Sequence, residues 1–323
     1  MIKVFYNSKR THEIYDLMER RKPPGIELVL LENDDDEERV AKVHDCDAII
    51  AAATRLTRRT IDAAPRLKLV QHQGVGYHDT VDVSALIERG IRLAVSTAGT
   101  VGVAEHAVML ALAAARRVTF ADAELRVGQW HANSLRPVSM ELAGKAIGYV
   151  GMGRIGYAAA ERFSGFKTKG FYSDPNVRLS PDREAALNLE PASLNRILEE
   201  ADVVTLHLPL TEETRDLIGQ EELARMKPRS ILINTARGGI VSEMALVEAL
   251  KEGRPGAAGI DVFETEPLPP GHPLTRLPNV VLTPHIAAGT WDSLVGKMDT
   301  VLTNIAAFFE GKPLQNEIVL GPG

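Results

Sequence analysis

The sequence predicts an α/β protein built from two doubly wound parallel sheets. Short apolar runs alternate with helical patterns along nearly the whole chain. The runs are apolar on consecutive residues, and one of them passes through a glycine-rich turn straight into a helix. Strand–helix alternation is the pattern of parallel strands joined by crossover helices. A run that is apolar throughout suits a strand buried on both faces. At 323 residues the chain exceeds the size at which one hydrophobic core stops growing, so two domains are expected.

The first series sets strands at 3–6, 27–31, 48–52, 69–72 and 92–95, with helices at 11–21, 36–44, 57–63 and 81–89 between them. The acidic run 32–38 is a solvated loop leading into a helix N-terminus, where negative charge is favoured. Residues 101–127 are rich in alanine and predict one long helix crossing between the domains. A second series places strands at 146–150, 169–172, 203–207, 230–234, 257–261 and 280–283, with a final helix at 291–310.

A net charge of -6 without any run of Lys and Arg gives no reason to expect nucleic acid as a partner. Cys46 is the only cysteine, so no intrachain disulfide forms, and its thiol is read as buried and inert. The opening residues meet charges too soon for a secretory segment, and no apolar run approaches the ~20 residues of a membrane span. A cytoplasmic protein is expected, with no membrane partner and no metal site.

The most specific motif is AIGYVGMGRIGYAAAERF, which carries a Gly-x-Gly-x-x-Gly triplet at Gly151, Gly153 and Gly156 between a strand and a helix. Gly151 permits the tight turn, Gly153 lets backbone N–H groups approach a pyrophosphate, and Gly156 lets the helix pack against the sheet. The helix N-terminus then offers unpaired donors and its positive end to the phosphates, with Arg154 beside them. The next strand closes on Asp174, whose carboxylate can accept from both adenosine ribose hydroxyls and repels a 2′-phosphate. The expected cofactor is therefore NAD on a Rossmann half, with Arg178 nearby as a softening charge.

Three later strands each end on a chemically capable group. ILINTARGGIVSE presents Arg237 before a glycine pair, AAGIDVFETEP presents Asp261 and then Glu266, and VVLTPHIAAGT presents His285. The carboxyl ends of parallel strands form the ligand crevice of such sheets. Each residue alone has a plain structural explanation: a surface ion pair, a solvated carboxylate, a hydrogen-bonded core histidine. Together an arginine, a carboxylate and a histidine on one sheet edge make a complete catalytic set.

With these residues in place, the chain resembles the D-isomer-specific 2-hydroxyacid dehydrogenases over nearly its whole length. The segments that carry the resemblance are QGVGYHDTVDV, GTVGVAEHAVML, VGMGRIG, HLPLTEETRDLI, NTARGGIV, DVFETEP and TPHIAAGT. The resemblance implies a discontinuous, flavodoxin-like substrate domain of residues 1–98 and 292–323, interrupted by a Rossmann NAD-binding domain of 99–291. It also implies a homodimer joined through the NAD-binding domains. It assigns catalysis to Arg237, Glu266 and His285, and the substrate carboxylate to backbone N–H groups around Val75 and Gly76 together with Arg237 and His285. Arg154 and Ile155 fall under the pyrophosphate, Asp261 near the nicotinamide carboxamide, and His207, Thr235 and Ala236 among the cofactor contacts. The chain departs from the family's commoner pattern by one extra residue in YHDTVDV, by Ser242 where Asp is frequent and by Ala287 where Gly is frequent. Trp130 matches a Trp that reaches the partner's active site in some members, and interface packing explains it equally well.

The implied reaction is hydride transfer between NADH and C2 of a small 2-oxo acid, glyoxylate, hydroxypyruvate or a related acid, giving a D-2-hydroxy acid. Arg237 would hold the carboxylate through its planar fork. His285 would donate the proton to the carbonyl oxygen, and Glu266 would favour the charged ring. Two enzymatic alternatives are formate-type and phosphite-type dehydrogenases; the formate branch carries Gln at the position of Glu266. From another class comes a non-catalytic, NAD-responsive scaffold of the corepressor type.

Overall fold

The computed structural model describes residues 1–321. The chain divides into two compact units, Met1–Gly99 together with the segment from Trp291 onward, and Thr100–Thr290.

In the first unit the strands are β1 (Ile2–Tyr6), β2 (Ile26–Val29), β3 (Ala48–Ala51), β4 (Leu69–His72) and β5 (Arg92–Val95). The second unit contributes β6 (Ala146–Val150), β7 (Lys169–Ser173), β8 (Leu189–Pro191), β9 (Val203–Leu206), β10 (Ile231–Asn234), β11 (Ala257–Ile260) and β12 (Val280–Leu282). A last short strand, β13 (Glu317–Ile318), returns to the first unit.

The first sheet runs β13-β5-β4-β3-β1-β2. Its five long strands are parallel, and only β13 is antiparallel, pairing Glu317 with Ala94. Successive residues of β1 enter different cores. Val4 and Tyr6 pack with Met298, Val301 and Leu302 of the helix Trp291–Phe309, while Phe5 packs with Ile49, Val70 and Leu93 on the other face. This two-sided burial is the physical reason for the unbroken apolar runs. The acidic run behaves as a helix entry: Asp35 accepts from the Glu38 N–H, and Glu38 in turn accepts from the N–H groups of Glu32 and Asn33. Cys46 is buried, and burial pushes its thiol up to about 12.

The second sheet runs β12-β11-β10-β9-β6-β7-β8 and is parallel throughout. The order reverses between β6 and β9, which leaves a crevice beyond their carboxyl ends. One face is closed by the helix Thr100–Arg116, whose Ala104, Ala107 and Ala111 pack with Ile147, Tyr149 and Ile233. Small residues are needed there, because a Cβ on Gly259 would come within 2.8 Å of Leu110 Cβ.

Two expectations are corrected. The long helix is not continuous over 101–127 and belongs entirely to the second unit. It ends at Arg116 and restarts at Val118, because Arg117 takes a left-handed conformation (φ 54). The Arg117 guanidinium donates to the Gly256 carbonyl at 2.6 Å, and the following helix Val118–Arg126 buries none of its residues. Strands β8 and β13 were also not foreseen. Three and two residues long, they are too short to show a periodicity.

Phe163 anchors the helix after the glycine turn. Its side chain is fully buried and meets Tyr149 edge-on at 6.1 Å between ring centroids. Phe163→Ala should cost ~3–5 kcal/mol, read as a lower denaturant midpoint at an unchanged slope.

Candidate active site

The carboxyl edge of the second sheet is built first by its glycines. After β6 the chain turns at Gly151, which adopts φ +93; a Cβ there would lie 2.5 Å from the His207 carbonyl oxygen. At Gly156 a Cβ would lie 2.2 Å from the Gly151 carbonyl oxygen, so the helix Arg154–Ser164 rests directly on the turn. Gly153 differs: nothing lies within 4 Å of its would-be Cβ. It is also the N-cap and supplies no side-chain acceptor. The first turn of the helix, at Arg154 and Ile155, therefore receives no cap from a side chain at the N-cap position.

Asp174 follows β7. Its carboxylate accepts from the N–H groups of Met152 at 2.7 Å, Asn176 at 2.8 Å and Val177 at 2.9 Å, tying the strand end to the glycine turn. It lines an open pocket of about 320 Å³ with Tyr172, Arg178, Pro191 and Ala192. Arg178 sits 3.5 Å from Glu184.

Two buried polar atoms at this edge lack partners among the described residues, Nδ1 of His207 and Oγ1 of Thr235. Such atoms are rare in folded chains, and a polar ligand satisfies them. Burial pushes the His207 ring down to about 4, so it is neutral, with Nε2 against Thr205 Oγ1 at 3.0 Å. Ala236 follows Thr235 and donates its N–H to the Asn234 side chain at 3.0 Å. The open space at Gly153, the helix that starts beside it, the two orphaned atoms and a carboxylate at the end of β7 fit a dinucleotide at this edge.

Arg237 comes next. A Cβ on Gly238 would sit 1.9 Å from the Phe263 carbonyl carbon, so this segment and the loop carrying Glu266 meet backbone to backbone. Arg237 donates to the Ala236 carbonyl at 2.8 Å. Glu266 accepts from the Phe263 N–H at 3.0 Å and from His285 Nδ1 at 2.7 Å. Burial works against its charge, but the His285 hydrogen bond, the Phe263 N–H and the positive charge of Arg237 outweigh it and hold the carboxyl below its usual range. An ionised carboxylate only accepts, so the proton of this contact lies on Nδ1. The His285 side chain stays 47% exposed, and its Nε2 has no partner among the described residues. The structure therefore joins His285 to Glu266 directly and sets Arg237 close enough for its charge to act on Glu266.

His285 occupies the left-handed region at φ 53, a conformation that costs an L-residue roughly 1–2 kcal/mol. The loop tolerates it because Asp261 holds both flanks. Asp261 is fully buried, and its carboxylate accepts from Thr283 Oγ1 at 2.6 Å and from the N–H groups of Ile286 and Ala287, each at 2.9 Å. Burial opposes its charge, yet the contacts from His106, Thr283 and these N–H groups lower its pKa. The resemblance placed Asp261 at the nicotinamide carboxamide. Here its two oxygens are taken up by the protein and have no exposed surface, so it lies beneath the loop.

In the first unit, the segment bearing Val75 and Gly76 is pinned by His72. His72 Nδ1 lies 2.7 Å from the Gly74 carbonyl oxygen and 3.0 Å from the Gly74 nitrogen, and its Nε2 lies 3.0 Å from Thr80 Oγ1, which in turn lies 3.2 Å from the Gly76 carbonyl oxygen. Sequence reasoning did not single out His72 or His106, nor the reciprocal contacts of Glu243 and Glu264, each carboxylate accepting from the other's N–H. For His106 a signal existed: a lone imidazole inside an alanine-rich helix. Ser242 begins the helix Glu243–Lys251 without capping it, and Trp130 is 80% exposed. Among the described residues no His, Cys, Asp and Glu cluster could hold a metal ion, and no helix is long and apolar enough to cross a membrane.

The family model for the D-isomer specific 2-hydroxyacid dehydrogenase, NAD binding domain, matches residues 108–287. A glyoxylate reductase of Korarchaeum cryptofilum is 40% identical over 306 residues, 93% of this chain and 88% of that protein. A crystal structure of a Thermus thermophilus protein superposes with a TM-score of 0.86 at 36% identity, covering 98% of this chain and 100% of that one. An NAD-dependent formate dehydrogenase of Staphylococcus aureus, in complex with NAD, superposes with a TM-score of 0.84 at 31% identity over 100% of both chains.

Asp174→Ala should weaken NADH binding and narrow the preference for NADH over NADPH, both read by fluorescence titration. A variant that keeps the parental preference would remove Asp174 from the ribose site.

Proposed function

Since the chain belongs to the D-isomer-specific 2-hydroxyacid dehydrogenases and is an NAD-dependent oxidoreductase, we propose that it reduces a small 2-oxo acid, first of all glyoxylate or hydroxypyruvate, to the D-2-hydroxy acid. The contact of His285 Nδ1 with Glu266 at 2.7 Å, beside Arg237, carries this reading.

The chemistry divides among three side chains. Bound NADH supplies the hydride that C2 receives. Arg237 holds the substrate carboxylate, for which a planar two-pronged donor is better suited than an ammonium. His285, charged and braced by Glu266 at Nδ1, gives its Nε2 proton to the carbonyl oxygen, and takes it back in the reverse direction. In the first unit, the N–H groups of Val75 and Gly76 are donors of the kind a carboxylate accepts, and we assign them to it. The N–H groups at Arg154 and Ile155, in the first turn of the helix after the glycine turn, receive the pyrophosphate, with Thr235, Ala236 and His207 as further cofactor contacts. Asp174 receives the adenosine ribose.

The Korarchaeum cryptofilum relative is named for glyoxylate reduction, which supports the choice of a short acid. Formate oxidation, the activity named for the Staphylococcus aureus structure, releases no substrate hydroxyl proton, so a carboxylate bracing the imidazole would have no task in it. A scaffold that only binds NAD would consume no NADH. The deciding measurement is the initial rate of NADH oxidation with glyoxylate, hydroxypyruvate, pyruvate and bulkier 2-oxo acids. No turnover with any of them would sink the proposal. His285→Ala should lower turnover by ~10²–10⁴-fold while NADH binding persists.

The same reading makes the protein a cytoplasmic homodimer. Val118, Leu125, Val127 and Trp130 lie exposed on and just after a helix with no buried residue, an apolar patch of the sort that partners cover. Light scattering should give twice the chain mass, and Leu125→Glu combined with Val127→Glu should reduce it to one.

A further inference from the structure

The acid–base reading gives no task to His106, a histidine set among the alanines of the helix Thr100–Arg116. Its Nε2 lies 2.9 Å from Thr283 Oγ1 and 3.4 Å from Asp261 Oδ1. The Thr283 hydroxyl lies 2.6 Å from the same carboxylate oxygen. An ionised Asp261 only accepts, so the Thr283 proton goes to Asp261, and the Thr283 oxygen accepts from His106 Nε2–H. The direction of the chain is thereby settled, from His106 through Thr283 to Asp261.

What Asp261 holds gives that chain its meaning. Its carboxylate takes the N–H groups of Ile286 and Ala287, the two residues after His285. Its carbonyl oxygen takes the N–H of His285 itself at 2.8 Å. The loop is gripped on either side of a residue whose backbone would otherwise relax out of the left-handed region. A separate observation shows how closely the helix braces it. Gly102, one turn before His106, would set a Cβ 3.2 Å from the Ala287 carbonyl oxygen.

We propose that His106 is a positioning residue for the reaction: through Thr283 and Asp261 it fixes the strained loop, and so the angle at which His285 is presented and held against Glu266. It acts through other residues and is assigned no contact with substrate or cofactor. The proposal rests on the assignment of His285 as proton donor.

The test uses the full chain, four single variants, His106→Leu, His106→Gln, Thr283→Val and His285→Ala, and one double variant, assayed for NADH oxidation with the best 2-oxo acid. His106→Leu should lose ~10- to 100-fold in kcat, the scale of a small misplacement of a reacting group. Its KM for NADH should stay within about twofold, because ground-state binding is untouched. His106→Gln carries an amide N–H near the position of Nε2 and should recover most of the turnover. Combining His106→Leu with Thr283→Val should cost no more than the worse single change, since both break one chain. Parental kcat in folded His106→Leu overturns the proposal, as does a Gln variant no faster than the Leu variant. If His106→Leu does not fold, the near-isosteric Thr283→Val decides by the same kcat and KM readings. His285→Ala separates the two layers. If it keeps turnover, the proton-donor assignment itself has failed; if it loses turnover while His106→Leu does not, only the positioning role has.

Discussion

Parallel strands cannot be joined by tight turns, and everything at the candidate site depends on that constraint. Each strand of the second sheet must be followed by a crossover that returns the chain to the opposite edge, so loops from β6, β7, β9, β10, β11 and β12 all emerge on one side. Residues distant in sequence are brought to that side without any strand needing to bend. What remains is to let the loops approach each other, and the glycines do this. Gly151 and Gly156 press the turn after β6 against His207 and the next helix, and Gly238 presses the Arg237 segment against Phe263. At each of these three positions a methyl group would overlap backbone atoms, which cannot swing aside as a side chain can.

Much of this was legible because its physics is local. The glycine turn, the strand before it and the acid closing the next strand are readable within a single βαβ stretch. Arg237, Glu266 and His285 were readable as strand-end residues of suitable chemistry, and the structure brings Glu266 and His285 to 2.7 Å. The break at Arg117 was missed although the weaker helix formers Val118, Thr119 and Phe120 follow it; the contact that Arg117 makes there, with the distant Gly256 carbonyl, has no local signal. Strand β13 was missed for a similar reason: two residues have no pattern of their own, and only Leu93 and Ala94 make them a strand. Asp261 shows a subtler gap. Its place at a strand end was evident, but whether its carboxylate faces a ligand or its own loop depends on N–H groups at Ile286 and Ala287, whose directions no spacing rule contains.

The electrostatics separate the roles of the two carboxylates. Both are held ionised against the cost of burial, but by different means. Asp261 is fully enclosed and is met by uncharged donors, two N–H groups and a hydroxyl, with His106 beyond. Glu266 is partly exposed and is stabilised by the imidazole together with the positive charge of Arg237. A carboxylate saturated by fixed dipoles is a structural anchor with little reason to change state. One balanced against a group that gains and loses a proton can follow that group through a reaction cycle.

The side chains that we assign to the acid–base step sit within a single unit. Arg237, Glu266 and His285, with the Asp261 network beneath them, all belong to residues 100–290, so their mutual geometry is set by one packed core. The loop bearing Val75 and Gly76 belongs to the other unit and is pinned by a separate histidine, His72. Loops carried on a packed sheet can vary in sequence while the core beneath them holds the groups it positions.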